Sequence, residues 1–496
     1  NLKPVIAINQ DGKMNAHSGL LEGLKVKEAR QKILDELKSK NLLKKQENIQ
    51  HQTPISERSG AEIEFIEMPE FYLKQLEFKN DLKKLSNKIN FFPKESKKIL
   101  DSWLDSVSID WPISRRRFYA TPVPLWNSES GLVAIPPEGN YYQPWKEKVP
   151  KDSEVYKNGK KVGKISDFPK EVWSGETRVL DTWFDSSISE LSMLKYKSNP
   201  EFFKKAYPAS LRPQGKEIVR TWLYYTILRG FLETKQPCFK DVWIHQHILD
   251  QNGRKMSKSA GNTIDPQLIL KENGAEALRF WSAIEGDLSK SDFSCSKEKI
   301  KAEMKTLNKL INITRFALQF KKPKKQPSLV PLDSTFKEHI DALVFQANKD
   351  FEKYDFYHPT LKNREFLWET FASHYIEMIK GRAYNENGLF SKEESESAKY
   401  TLYYLLENLI TILHPVIPQI TSVIADSISL PLENFPKGKP YKEAQSTIDK
   451  IKEFNSQVWK AKKDRGISLK DSITNIEIPK SLETFKKDII SCHNLK

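Results

Sequence analysis

Hydrophobic and polar positions change rhythm along the 496 residues. In residues 1–66 an apolar run, Pro4-Val5-Ile6-Ala7-Ile8, ends at Asn9-Gln10-Asp11-Gly12, a turn in which glycine accepts positive φ. Residues 20–43 repeat apolar side chains at helical spacing with a Lys/Glu face opposite, and a strand-like run covers 61–66. The first 66 residues therefore read as a small α/β unit. The spacing predicts helix again over 71–104, interrupted at Phe92-Pro93, where proline cannot continue it. From 111 to 284, β-branched runs such as 177–184 and 241–249 alternate with helical segments such as 217–232 and 266–272. That alternation predicts a mostly parallel sheet with helices on both faces. Inside it, 128–170 is rich in Pro, Gly and Lys and reads as an irregular insertion. Beyond 297 the strand signals stop. Amphipathic helices over 300–320, 336–353, 358–383, 393–413 and 418–427 predict a helical bundle. The last part, 441–496, opens with a helix to about residue 463 and ends in a poorly defined lysine-rich tail.

Composition narrows the class. An aromatic content of 11% is enough for real cores and excludes wholesale disorder. Cys238, Cys295 and Cys492 are too few and too scattered for a disulfide framework or a four-thiolate zinc site. No run approaches the roughly 20 apolar residues of a membrane span. The opening Asn1-Leu2-Lys3-Pro4 carries no signal pattern and no methionine. We expect a cytoplasmic protein of a reducing compartment, without a membrane partner. Eighty Lys+Arg against 65 Asp+Glu leave a charge of +15, which favours a polyanionic partner and does not by itself identify nucleic acid.

The sharpest chemistry lies between Asp250 and Asn262. The turn Asn252-Gly253 leads to Lys255 and Lys258, three residues apart, flanked by Ser257 and Ser259. Two ammonium groups on a glycine-bounded loop can reach a triphosphate and neutralise the charge that builds as pyrophosphate departs. On residue types alone, a solvated lysine-rich loop is the default reading. The other candidates have plain readings too. Trp183, Phe184 and Trp222 are the kind of aromatics that fill cores. His245 and His247 alternate along a probable strand, where one can be buried and hydrogen-bonded. Residues 114–117 form a basic cluster suited to solvent or to phosphate, and His414-Pro415 reads as a helix stop.

Lys255-Met256-Ser257-Lys258-Ser259, with Gly261-Asn262 after it, resembles the second signature of the class I aminoacyl-tRNA synthetases in their valine, isoleucine and leucine subgroup. Four further stretches occur in that subgroup's order. Asp110-Trp111-Pro112-Ile113-Ser114-Arg115-Arg116-Arg117 with Thr121-Pro122-Val123-Pro124-Leu125-Trp126 resembles the segment after the editing insertion. Asp181-Thr182-Trp183-Phe184-Asp185-Ser186-Ser187 resembles the amino-acid-pocket strand. The stretch from Leu211 to Trp222, with Gly215 and Glu217, resembles the segment that packs on ATP. Tyr375-Ile376-Glu377, Lys380-Gly381-Arg382 and His414-Pro415 resemble the anticodon-binding bundle. The pocket and ATP segments are most similar to the valine-specific members, with the isoleucine-specific ones as the closest competitor.

The resemblance implies part of a doubly wound, Rossmann-like α/β parallel-sheet domain followed by an α-helical bundle. Residues 1–66 would be the distal remnant of the editing insertion and 67–299 the C-terminal half of the catalytic domain. Residues 300–440 would be the anticodon-binding bundle and 441–496 a helical extension and tail. It implies ATP with Mg²⁺, valine and tRNA as partners. Lys258 would stabilise the leaving pyrophosphate with Lys255 assisting, and Ser257 and Ser259 would donate to phosphate. Gly215 and Glu217 would lie near the ATP ribose, where Asp is usual in place of Glu217, and His245 near adenine or the phosphates. Tyr119, Trp183 and Asp185 would line the amino-acid pocket; Arg115, Arg116, Lys380 and Arg382 would contact tRNA.

The chain departs from the family in further places. Gln246 replaces a customary glycine, and Tyr119-Ala120 stands for Trp-Gly. Asn127-Ser128-Glu129-Ser130 follows Trp126 where relatives carry zinc-binding cysteines, so no structural zinc is expected. The first signature, a His-x-Gly-His segment, does not occur. The expectation is therefore a fragment or a split chain that needs an N-terminal half. An isoleucine enzyme, a tRNA-binding paralogue without catalysis, and an RNA-binding protein with a lysine-rich helical tail remain as alternatives.

Overall fold

A computed structural model describes residues 5–50, 52–56, 60, 62–63, 68–257, 261–290, 292–386 and 388–496. Contacts group the chain into two units that interleave along the sequence. The first comprises Asn1–Leu82, Ser106–Ser198 and Tyr225–Thr234; the second comprises Lys83–Asp105, Asn199–Tyr224 and Lys235–Lys496.

In the first unit the helix expected within 20–43 runs over Val26–Ser39, with Glu28 accepting from the backbone N–H of Lys25 at its start. The stretch expected to be irregular contains most of a five-stranded antiparallel sheet, in the order Lys160–Lys164, Glu154–Lys157, Val133–Ile135, Trp126–Ser128, Trp173–Gly175. Trp126 pairs with Ala134, and Ala134 with Val155. These three form one buried cross-strand row that holds the sheet together. Gly175, on the next strand, lies against Pro144, whose carbonyl oxygen would be 1.8 Å from any added Cβ. Strands of three to five residues joined by glycine turns show no measurable period, which is why the sequence reads as loop.

The second unit carries a parallel sheet of three strands, Ala209–Gly215, Phe239–His245 and Asn90–Phe92, with Phe239–His245 in the middle. Val242 and Ile244 of the central strand are fully buried. Asn90–Phe92 is a strand where the spacing predicts helix, because a short apolar run cannot be told from buried helix by period alone. The helical bundle follows from Lys297–Ala317 onward. Its central helix, Lys392–Leu413, opens on a capping box between Ser391 and Glu394 and buries Leu402, Leu405, Leu406, Leu409, Ile410 and Leu413. A helix apolar on so many sides must be enclosed by others.

The tail is ordered, contrary to its lysine-rich composition. Leu482, Phe485 and Ile489 join the same core as Ile448, Ile451 and Phe454 of helix Glu443–Asp464. Lys462, fully buried, donates from its ammonium to the carbonyls of Leu469, Asp471 and His493 at 2.7–2.8 Å, tying that tail to the bundle. Among the described residues no helix is long and apolar enough to cross a membrane.

Candidate functional site

Gly215 and His245 face each other across the register at the carboxyl ends of two neighbouring parallel strands. Open α/β sheets bind their ligands at that edge. A Cβ at Gly215 would come within 2.3 Å of the Glu217 carboxylate, so any side chain there would displace Glu217 from its place beside the strand end. Glu217 stands in the turn Lys216–Ile218 that follows the strand. His247 Nε2 lies 3.2 Å from Glu217 Oε2, and Nδ1 lies 3.7 Å from Asp292 Oδ2. The backbone N–H of His247 donates to Asp292 Oδ1 at 2.9 Å, and the Lys216 ammonium donates to the same oxygen at 2.5 Å. Burial alone would raise Asp292; the Lys216 ammonium and the His247 N–H outweigh it and hold the carboxyl below its usual range. A chain of four groups, Lys216, Asp292, His247 and Glu217, thus borders the sheet end. His245 is exposed beside it, with Nδ1 3.2 Å from the carbonyl of Gln246.

Asp292 and His247 were not among the site residues expected from sequence, and no local signal could have joined them. Strand Ile248–Leu249 pairs in parallel with Phe293–Ser294, and that register sets the preceding residues side by side. An aromatic-walled cavity of about 600 Å³ lies next to His245 and Gln246, between Trp243, Trp281, Phe293 and Phe356.

The signature loop leaves the same sheet end. Asp250 Oδ1 accepts from the backbone N–H groups of Asn252 and Arg254 at 2.9 and 2.8 Å. Its other oxygen accepts from the Asn262 amide at 2.8 Å, and Asn262 Oδ1 accepts from the Ser257 N–H at 2.9 Å. Asp250 and Asn262 therefore close the two feet of the loop on each other. The N–H of Arg254 and the amide of Asn262 hold the Asp250 carboxyl below its usual range, so it stays a pure acceptor. Gly253 and Gly261 turn the chain at φ 73° and 63°. Lys255 is exposed and forms no ion pair among the described residues. Lys258 and Ser259 lie outside the described residues.

In the first unit Asp181 accepts from Trp183 N at 2.9 Å, capping helix Thr182–Ser186, and forms an ion pair with Arg115. Arg115, Asp181, Thr182 and Trp183 line a cavity of about 240 Å³ with Arg117. Asp185 is exposed and accepts from the Thr121 hydroxyl at 2.8 Å. Tyr119, 85% exposed and edge-on to Phe118, does not line that cavity. The expected pocket trio is thus only partly assembled: Trp183 is in the cavity, Tyr119 and Asp185 are not. Arg116 pairs with Glu70.

Arg382 requires a correction. Its side chain is 1% exposed, with Nη1 and Nη2 on Asp333 at 2.5 and 3.0 Å and Nε on Asp488 at 2.9 Å. A guanidinium this deeply buried, held by two carboxylates and the Glu394 carbonyl, is out of reach of a phosphate at the surface and braces the bundle. Lys380 is half-exposed and pairs with Glu377. His414 bonds Thr421 at 2.8 Å, after the end of its helix, in keeping with a helix stop.

Residues 19–294 match the family model of tRNA synthetases class I (I, L, M and V), and residues 333–478 that of the anticodon-binding domain of tRNA ligase. Similar curated proteins include the valine–tRNA ligase of Aeropyrum pernix, 37% identical over 99% of this chain and 60% of that protein. The valine–tRNA ligase of Nanoarchaeum equitans is 39% identical over the whole chain and 63% of its own length. The chain thus spans about 60% of the length of these relatives. Among solved structures, Mycobacterium tuberculosis methionyl-tRNA synthetase bound by methionyl-adenylate shares the fold, with TM-score 0.55 and 16% identity over 79% of this chain and 72% of that one.

Proposed function

Because this chain belongs to the class I tRNA synthetases of the isoleucine, leucine, methionine and valine group, we propose that it supplies the signature-loop half of the catalytic domain and the anticodon-binding bundle of a valine–tRNA ligase. The observation that carries the reading is the clamped loop. Asp250 and Asn262 fix its feet at the carboxyl end of the sheet that carries Gly215 and His245, and leave the Lys255 ammonium without an ion pair among the described residues.

In this reading the valine carboxylate attacks the α-phosphorus of ATP, and the bond to pyrophosphate breaks. Lys255, with Lys258, neutralises the departing charge. Glu217, oriented by His247, accepts from the ribose hydroxyls over the bare backbone at Gly215. The recess beside His245 offers aromatic faces to the purine. A hydroxyl of the tRNA terminal ribose then takes the acyl group and releases AMP. Mg²⁺ arrives with ATP, held by its phosphates; among the described residues no group of three His, Cys, Asp or Glu is placed to hold an ion unaided. The valine assignment rests on relatives 31–39% identical.

The test is valine-dependent exchange of pyrophosphate into ATP, on the chain alone and joined to the segment that completes the relatives' length. Exchange with valine and not isoleucine in the joined form is expected. Isoleucine-dependent exchange would overturn the specificity, and silence in both forms with tRNA still bound would point to a binding protein without catalysis.

A further inference from the structure

A cavity of about 450 Å³ that no step above uses is lined by three helices of the second unit, Pro266–Glu285, Lys297–Ala317 and Pro418–Ser427. That volume falls within the roughly 300–1,000 Å³ of small-ligand sites. Ile311, Arg315 and Leu318 come from one face of the second helix and its end, at spacings of four and three residues. Ile420, Val423 and Ile424 repeat the same spacing on the third. Leu318 and Val423 keep 47% and 69% of their surface exposed, so these helices leave apolar surface open to water between them.

Two charged groups of opposite sign line this apolar space without meeting. Glu276, on helix Pro266–Glu285, accepts from the backbone N–H of Ile420 at 3.1 Å through Oε2. Its other oxygen, Oε1, is buried and has no hydrogen-bond partner among the described residues. A dry carboxylate oxygen without a donor is unfavourable unless something completes it. Arg315 is exposed and forms no ion pair among the described residues, with Glu276 or with any other acid. Its planar guanidinium presents paired N–H donors that match a carboxylate. The cavity therefore asks for a cation at one place, an anion at another, and an apolar body.

We propose that this cavity is a binding site for a free α-amino acid with an apolar side chain, a site that shares no residue with the sheet end. The ammonium donates to Glu276, the carboxylate accepts from Arg315, and the side chain covers Leu318 and Val423. A free amino acid carries both charges on one carbon, whereas a peptide end carries one. A ligand with a single charge leaves either Glu276 or Arg315 unmatched, and a polar side chain loses hydration against the apolar walls. The proposal does not depend on the chain being part of a valine–tRNA ligase.

The chain is titrated with leucine, with 4-methylpentanoate, which lacks the amine, with 3-methylbutylamine, which lacks the carboxylate, and with serine, each followed by ligand-detected NMR. Leucine is expected to bind about tenfold or more tightly than each of the others, the scale of one hydrogen bond to a charged group. Glu276→Gln keeps an acceptor for the Ile420 N–H; it is expected to weaken leucine and 3-methylbutylamine about tenfold and to leave 4-methylpentanoate unchanged. Arg315→Ala, at an exposed position, is expected to weaken leucine and 4-methylpentanoate and to leave the amine unchanged. Val423→Trp, also exposed, is expected to fill the cavity and abolish leucine binding. Equal affinity for the four ligands, or uniform weakening of all of them by either charge substitution, overturns the ligand class. Undiminished leucine binding in Val423→Trp places that binding elsewhere and overturns the site, as does no binding of leucine at millimolar concentration. Each of these outcomes leaves the exchange test above untouched, so failure here and failure of the ligase reading are told apart.

Discussion

Around Asp292 the charged groups stay within reach of water: the side chains of Lys216, Asp292 and His247 keep about a quarter of their surface and Glu217 keeps 42%. Around Asp333 they do not; Arg382 and Asp333 keep 1% and 0%. The same side-chain types are used in both places, and burial decides what they do. At the sheet end, ions that remain hydrated can exchange an internal partner for a ligand. In the bundle the two carboxylates and the guanidinium meet only protein groups: one another, the Tyr375 and Ser397 hydroxyls, which donate to Asp333, and the Glu394 carbonyl, which accepts from Arg382. Burial pushes Asp488 up to about 6 in spite of Arg382, a measure of how dry that cluster is.

The largest expected effect probes that dry interior by pH. Burial pushes His339, His374 and His493 each down to about 4. Between the ordinary 6.5 and 4 the unfolded chain binds protons that the folded chain refuses, so stability is full above 6.5 and is lost as pH falls toward 4. Each histidine contributes at most about 3 kcal/mol. Asp488 acts in the opposite sense from pH 6 down to its ordinary value, one group against three. Unfolding free energies from urea titrations at pH 7 and 4.5 should therefore differ by several kcal/mol; a change below about 1 kcal/mol would mean that these rings are wet.

Next in size is Arg382→Ala, which strands Asp333 and should cost about 3–5 kcal/mol in urea unfolding. A cost near zero would erase the contrast between the two clusters. Lys255→Ala, in the form active in exchange, should leave stability unchanged and slow pyrophosphate exchange about 10²–10³-fold. Loss of stability without loss of rate would assign it to the scaffold. Asn262→Ala removes one foot of the loop and should cost roughly tenfold in exchange, the scale of one or two hydrogen bonds. An unchanged rate would show that Asp250 holds the loop without it.

The long elements were legible in the sequence because each repeats its pattern over several turns. Helix Val26–Ser39, the bundle helices and the strand Phe239–His245 fall where the apolar period indicated. The short antiparallel strands were not, having too few residues to show alternation. The partnership of His247 and Asp292 was hidden because it comes from strand register between residues 45 apart in sequence. Arg382 was misread for a different reason. The resemblance placed Arg382 on tRNA, yet Tyr375, Met378 and Ile379 lie seven, four and three positions before it, on its own face of the helix, and all are buried. Helical spacing puts the guanidinium on the buried face, which the motif resemblance does not register.

Lys462 ends its side chain in a cage of three backbone carbonyls. Burial holds Lys462 below the usual lysine range, but an amine so enclosed leaves no path for a reagent. Amine-directed labels that modify the surface lysines should pass it by in the native protein. They would reach it only when the segment after residue 464 peels from the bundle, which makes its labelling rate a clock for that opening.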